Sequence, residues 1–420
     1  MNLPDSSSCT GCGACYSICP TNAISLNDDC MGFIRPSIDH EKCISCKKCT
    51  ALCHILNNTY TIKSHNGVFF AGALSNKEEL SSVSSGGISY ALARKYADSG
   101  NIVYGAAFTD RFKVRHIRVD NMSDLLRITK SKYLPSDTRD IFKQMNTDLI
   151  SGKEVLFTGL PCQIAAVVSY FKNIPDNLTL CEIICHGIPS PRVFAQYIKE
   201  TESYYKGNIK SIDFRNKNSG WKKNQISIQT ERRQLTWPSS DHPFHSGYLR
   251  GLYSMDSCSK CRYATLERNS DIVLADFWKY KGAALSDYKN SGISLIYCPS
   301  EKGPKKIKDL NDSIIYEEVD ADSAIASCYH LSHPPKAAGT KKKDTFKLLF
   351  NDYGFYISRY LCCKPQPLIN IALLLFSVPL AGTLFENSYR KWLIFLHNSL
   401  FMKIRRSIIR YAKRLLKRDR

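Results

Sequence analysis

Cys9-Thr-Gly-Cys12-Gly-Ala-Cys15-Tyr-Ser-Ile-Cys19-Pro20 is followed, after a spacer, by Cys43-Ile-Ser-Cys46-Lys-Lys-Cys49-Thr-Ala-Leu-Cys53-His54. Each run reads C-x2-C-x2-C-x3-C. Three thiolates at three-residue steps wrap one iron–sulfur cube, and the fourth reaches the cube of the other run. The spacing therefore predicts two 4Fe-4S clusters, one on Cys9, Cys12, Cys15 and Cys53, the other on Cys43, Cys46, Cys49 and Cys19. Gly11 and Gly13 let the backbone turn tightly at the first. Zinc also takes C-x2-C pairs, but two copies of a four-cysteine run point to iron–sulfur. Pro20 closes the first run; His54 stands where a second proline belongs.

This is the pattern of a bacterial-type ferredoxin domain, expected over residues 1–58, and it passes single electrons. The rest of the 420-residue chain must supply or consume them. Eighteen cysteines and no N-terminal signal peptide in the sequence point to a reducing, cytoplasmic setting. The net charge of +20 calls for an acidic partner: an anionic membrane surface, or a phosphorylated or carboxylated substrate. No RNA-binding or helix-turn-helix signature is present, so nucleic acid is not expected.

Beyond a polar linker at residues 57–66, apolar runs that suit strands begin at Val68, Ile102, Val114, Glu154 and Leu178. Helical patterns intervene at Ile88–Tyr96, from Leu125, at Asp140–Ile150 and at Gln163–Phe171. The alternation predicts an α/β domain with a mostly parallel sheet over residues 67–345, in parts of about 67–150 and 151–345. Ser291–Cys298 reads as its last strand. Ligands of such sheets bind at the carboxyl ends of strands, where Ser84–Gly87 and Gly159–Cys162 fall.

Ser84-Ser85-Gly86-Gly87 between a strand and a helix can cradle a phosphate, and Lys130 and Ser131 can add contacts. A plain tight turn and a solvated basic loop answer to the same residues. Cys162, Cys185 and the pair Cys258-x2-Cys261 can close a third cube. Cys181, four residues before Cys185 and on the same face of a strand, is a rival ligand, and buried inert thiols are the plainer alternative.

Ser85-Gly-Gly, Lys130-Ser-Lys-Tyr, Phe157-Thr-Gly-Leu-Pro-Cys-Gln, Cys185-His-Gly-Ile-Pro-Ser-Pro, Asp213-Phe-Arg-Asn-Lys, Gly220-Trp, Cys258-x2-Cys261 and Asp271-Ile-Val-Leu-Ala-Asp-Phe-Trp occur in that order. Together they resemble the coenzyme F-420 hydrogenase/dehydrogenase beta-subunit family, in its version with an N-terminal two-cluster ferredoxin, over roughly residues 68–300. The resemblance implies an oxidoreductase that binds FAD and a cluster of its own. It moves electrons between ferredoxin-type centres and an organic substrate or two-electron carrier, with a ferredoxin or dehydrogenase as electron partner. It also implies cofactor roles for Ser85, Gly86, Gly87, Lys130, Ser131, Gly159 and Asp276; Ala275 departs from the glycine usual before that aspartate. Arg215 and Lys217 are candidates to clamp an anionic group and His186 to give a proton. A charged strand end and a cluster-neighbour hydrogen bond are their blander roles. Trp221 and Trp278 suit stacking on a ring or core packing. Relatives that accompany polysaccharide synthesis make an anionic, lipid-linked substrate attractive; an electron-input subunit without a substrate, or an adaptor that has lost its flavin, are the other readings.

Residues 346–420 form the last region, expected to be helical. Pro367–Phe385 is apolar and about nineteen residues long, the length of a membrane span, although Asn370, Pro379 and Gly382 interrupt it. The basic stretch beyond it, interleaved with Trp392, Phe401 and Ile404, suits an interfacial helix. Peripheral attachment to the inner membrane face is expected; a buried helix pair is the alternative.

Overall fold

The computed structural model describes residues 3–57 and 67–363. At the N-terminus, β1 (Ile24–Asp28) and β2 (Ile34–Ile38) form an antiparallel hairpin, and the short helices Ala14–Ile18 and Lys48–Leu52 pack together beside it. Each helix is entered through two left-handed residues at matching positions. In the first run these are Gly11 and Gly13, at φ 69° and 72°; in the second they are Ser45 and Lys47, at φ 53° and 59°. The cysteine spacing dictates the same loop in both runs, and the second adopts it without glycine.

A nine-stranded sheet comes next. Its strands are β3 (Val68–Leu74), β4 (Ile102–Phe108), β5 (Val114–Val119), β6 (Ser136–Asp137), β7 (Val155–Gly159) and β8 (Leu178–Ile183). After β9 (Ile209–Asn216), β10 (Gln225–Thr230) and β11 (Gln234–Pro238), which form a separate antiparallel sheet, β12 (Ile272–Asp276), β13 (Ser294–Cys298) and β14 (Ile314–Glu318) return to it. The order is β14-β3-β13-β12-β8-β7-β4-β5-β6. The centre, β12-β8-β7-β4, is parallel; β13, β3 and β14 add antiparallel on one flank, β5 on the other. Ser294–Cys298 is thus not the final strand, because β14 pairs along the outer edge of β3. Continuous apolar runs such as Val-Leu-Phe in β7 and Ile-Val-Leu in β12 lie buried on both faces, as parallel central strands must.

Strands β8 and β12 are neighbours in space yet about ninety residues apart in sequence, and the excursion builds a second core. Helices Pro191–Tyr205, Pro243–Leu249 and Thr340–Cys363 pack with the β9–β11 sheet around Phe194, Tyr197, Phe214, Phe244, Tyr253 and Phe355. The boundary expected at residue 345 falls inside Thr340–Cys363. Past the kink at Gly354, Glu200 caps that helix by accepting from the Phe355 and Tyr356 amides at 2.8 and 3.0 Å. No helix among the described residues is long and apolar enough to cross a membrane; the apolar run 367–385 and the basic tail lie outside them.

Candidate functional site

Cys9, Cys12, Cys15 and Cys53 line one small cavity, and Cys19, Cys43, Cys46 and Cys49 line another. The sulfurs already receive backbone donors: Gly11 N–H to Cys9 at 3.4 Å and Ala23 N–H to Cys19 at 3.3 Å. Burial pushes the Cys12 thiol up to about 12 and Cys15 higher still. Thiols so buried become thiolates only beside compensating positive charge, which iron supplies, so the donor set fits a cubane. The second set is the more open, with Cys46 exposed.

The module is riveted to the α/β domain. Thr138 donates to the Cys12 carbonyl at 2.7 Å and Ser17 to the Arg139 carbonyl at 2.6 Å, while within the module Arg35 donates to the Cys9 carbonyl at 2.6 Å. His54 is buried, with Nδ1 on the Tyr263 hydroxyl and Nε2 3.4 Å from Thr10 Oγ1. The residue in place of the second proline is therefore a bridge to the C-terminal half, a role that needs a polar ring and that sequence alone did not suggest.

Across that bridge, Cys162, Cys185, Cys258 and Cys261 line a single cleft of about 560 Å³. Cys162 sits in the first turn of helix Pro161–Phe171, directly after β7. Cys185 lies just past the end of β8, and Gly187 N–H donates to its sulfur at 3.3 Å. Cys258 lies within the tight turn Asp256–Lys260 and Cys261 follows it directly. Burial and the neighbouring sulfurs push the Cys162 thiol well up, and one of those neighbours is Cys12 of the N-terminal module. Thr10 and Ile55 of the module line the same cleft. Cys181 is fully buried on β8 within the hydrophobic core; because Cys185 is beyond the strand, the two do not share a face of it. Beneath the cleft a buried ion pair joins Arg268 to Glu182.

The remaining candidates, apart from Gly159 on β7, gather near the ends of β3, β9 and β12. Gly86 N–H donates to Ser294 Oγ at 3.0 Å, and a Cβ there would stand 2.3 Å from the Gly72 carbonyl oxygen. Gly87 has φ 78°, and a Cβ on it would meet Leu74. Both glycines are thus required by the packing of their own turn. Ser84 meets Ser131 at 3.1 Å; Lys130 pairs with Asp213 at 2.7 Å; Lys217 Nζ donates to the Ser85 and Leu80 carbonyls at 2.6 and 2.7 Å. Burial lowers Lys217 to about 7. Arg215 is held in two-point contact by Asp276, and its guanidinium lies 5.0 Å from the Trp278 ring centre. Trp278 stacks on buried Trp221 at 4.2 Å. His186, pushed down to about 4 by burial, packs edge-on against His330 at 4.3 Å. Gly159 closes β7, facing the Phe157 and Gln163 side chains. Asp213 and Ser294, which no sequence argument singled out as site residues, complete the group.

Residues 8–55 match the family model of the 4Fe-4S dicluster domain. Residues 152–324 match that of the C terminus of the coenzyme F-420 hydrogenase/dehydrogenase beta subunit. The chain carries that family's C-terminal domain behind a dicluster ferredoxin. It is an iron–sulfur protein of the oxidoreductase type, related to the F-420 hydrogenase beta subunit. The F-420 domain spans Cys162, Cys185, Cys258, Cys261, Arg215, Lys217 and Asp276, whereas Ser85–Gly87 and Lys130 precede it. No curated protein matches the chain. Among solved structures it is similar to a chain of the F-420-reducing NiFe hydrogenase complex from Methanosarcina barkeri, studied as a xenon derivative. Identity is 15%, coverage is 70% of this chain and 96% of that one, and the TM-score is 0.43.

Proposed function

We propose that the chain is a flavin-dependent iron–sulfur oxidoreductase in which Cys162, Cys185, Cys258 and Cys261 hold a third 4Fe-4S cluster between the ferredoxin module and an FAD site. One observation carries this reading: the four-cysteine cleft is lined by Thr10 and Ile55 of the module as well as by Cys185, which is followed directly by His186, within reach of the charges of Arg215 and Asp276. FAD supplies exchange between one-electron and two-electron chemistry. Ser85, Gly86 and Gly87, at the start of helix Ile88–Asp98, with Lys130 and Ser131, hold its pyrophosphate; the Gly159 turn and Asp276 flank it. Lys217 presents positive charge toward an anionic group, Arg215 is positioned by Asp276, and His186, neutral at pH 7, gives or takes a proton. The substrate in this reading is an anionic, lipid-linked precursor of a surface polysaccharide, met at the inner membrane face through residues 367–420; the +20 charge supports that choice.

The family description, which is that of a beta subunit, supports a second reading: an electron-input subunit whose partner is a ferredoxin or dehydrogenase and which has no substrate of its own. Anaerobic purification of the full chain tests both. The first predicts about twelve irons, on the basis of three cubanes, with one FAD per chain. About eight irons and no flavin would overturn it.

A further inference from the structure

Arg268 is 3% exposed, and its partner Glu182 is fully buried. One terminal nitrogen of the guanidinium is on Glu182 and the other on the Leu331 carbonyl. The third nitrogen, Nε, has no hydrogen-bond partner among the described residues. A buried N–H left unpaired is costly, and this one belongs to a side chain that lines the same cleft as Cys162, Cys185, Cys258 and Cys261.

We propose that Arg268, oriented by Glu182, is the residue that sets the reduction potential of the third cluster, its Nε–H and positive charge holding that potential above those of the two N-terminal clusters. The inference rests on the third cluster proposed above. Reduction there adds one electron, passed from the N-terminal cluster ligated by Cys12, and no bond or proton moves. The added negative charge falls in the cleft that Arg268 lines, where a fixed guanidinium and a donor to sulfur favour the reduced form. Glu182 fixes the guanidinium plane and offsets part of its charge. Arg268 is thus a positioning residue that acts on electron flow without touching substrate. Among the described residues no arginine lines the two N-terminal cavities; Arg35, which reaches the Cys9 carbonyl, is paired with Asp29.

The test is a potentiometric titration followed by paramagnetic resonance on the full-length protein, with iron counted on the same samples. Arg268→Gln should lower the potential of the third cluster and leave the two N-terminal clusters unchanged; Glu182→Gln, which frees the guanidinium charge, should raise it. The double variant Glu182→Gln/Arg268→Gln removes both charges and avoids leaving a buried carboxylate alone; it should fold and show a potential below that of the unaltered protein and above that of Arg268→Gln. Full iron with an unshifted third potential in the double variant overturns the role of Arg268 and leaves the cluster standing. About eight irons in the unaltered protein, the content of two cubanes, overturns the cluster and this role with it.

Discussion

Arg215 on β9 and Asp276 at the end of β12 meet through two contacts, 2.8 and 3.0 Å long, and so tie the small antiparallel sheet to the large one. The arginine side chain is 8% exposed. Removing one partner leaves a buried charge alone, whereas removing both does not. Arg215→Met should destabilise the protein by roughly 3 kcal/mol, and Arg215→Met/Asp276→Leu should recover much of that. Urea midpoints of the two variants give the comparison. Equal losses in both would show that the arginine matters for something other than this pair.

Lys217 is lowered to about 7, chiefly by burial. It is mostly charged below that pH and mostly neutral above it. Binding of FAD pyrophosphate, or of an anionic substrate, should therefore weaken as pH rises through about 7 and level off near pH 8–9. Lys217→Arg keeps its charge throughout and should abolish the dependence. Dissociation constants measured between pH 6 and 9 decide it, and a flat profile in the unaltered protein would remove Lys217 from the binding site.

His116 and His245 are held at about 4 by burial, and burial also holds His242 well below the usual imidazole value. Each takes up a proton more readily in the unfolded chain, so each contributes stability that is complete above about pH 6.5 and is lost as pH falls toward 4. Every such histidine adds a slope of at most about 1.4 kcal/mol per pH unit in that window. His116 Nε2–H donates to the Thr158 carbonyl, its Nδ1 accepts from the Ser136 hydroxyl, and the ring stacks on Phe157. His116→Gln keeps the polar contacts and should flatten the pH dependence of the urea midpoint between pH 6.5 and 5.

Lys47 holds a left-handed conformation that its counterpart Gly13 adopts freely. Lys47→Gly should stabilise the ferredoxin module by up to about 1 kcal/mol. Gly11→Ala should do the reverse, since its Cβ would stand 2.8 Å from the Ile34 carbonyl oxygen. Retention of cluster absorbance on heating ranks the three proteins, and a Lys47→Gly protein that bleaches earlier than the unaltered one refutes the strain argument.

Residues 367–420 are expected to hold the chain on anionic lipid. The full-length protein should sediment with membranes, and a chain ending at Pro365 should not. High salt should release the full chain if the basic residues alone attach it, but not if the apolar run inserts. Recovery of the full chain in the supernatant at low salt would exclude attachment.

The eight N-terminal cysteines were legible because their ligand geometry is local: three-residue steps close a loop whatever surrounds it. The buried strands were legible for the same reason, as β7 and β12 are apolar on both faces. The β9–β11 sheet was not. Its outer strands mix buried or half-buried positions with exposed ones and β9 carries charges such as Lys210 and Arg215, and their second core draws on Phe346 and Phe355, more than a hundred residues away. The partners of the candidate site were equally hidden. Lys130 finds Asp213, and Ser84 finds Ser131, only once the chain has folded. Glu182, inside an apolar run, was the one local sign that a buried cation had to lie nearby, and Arg268 is that cation.

The bridge from His54 to Tyr263, with the anchors at Thr138 and Ser17, has a kinetic meaning. A ferredoxin module on a loose tether would work as a swinging arm, and its internal transfer would slow in a viscous medium. A module pinned at several points works as a fixed wire: the gaps between its centres are set once, at folding. The meeting with the electron donor then depends on diffusion, while passage of an electron through the module itself does not wait on any swing of the tether.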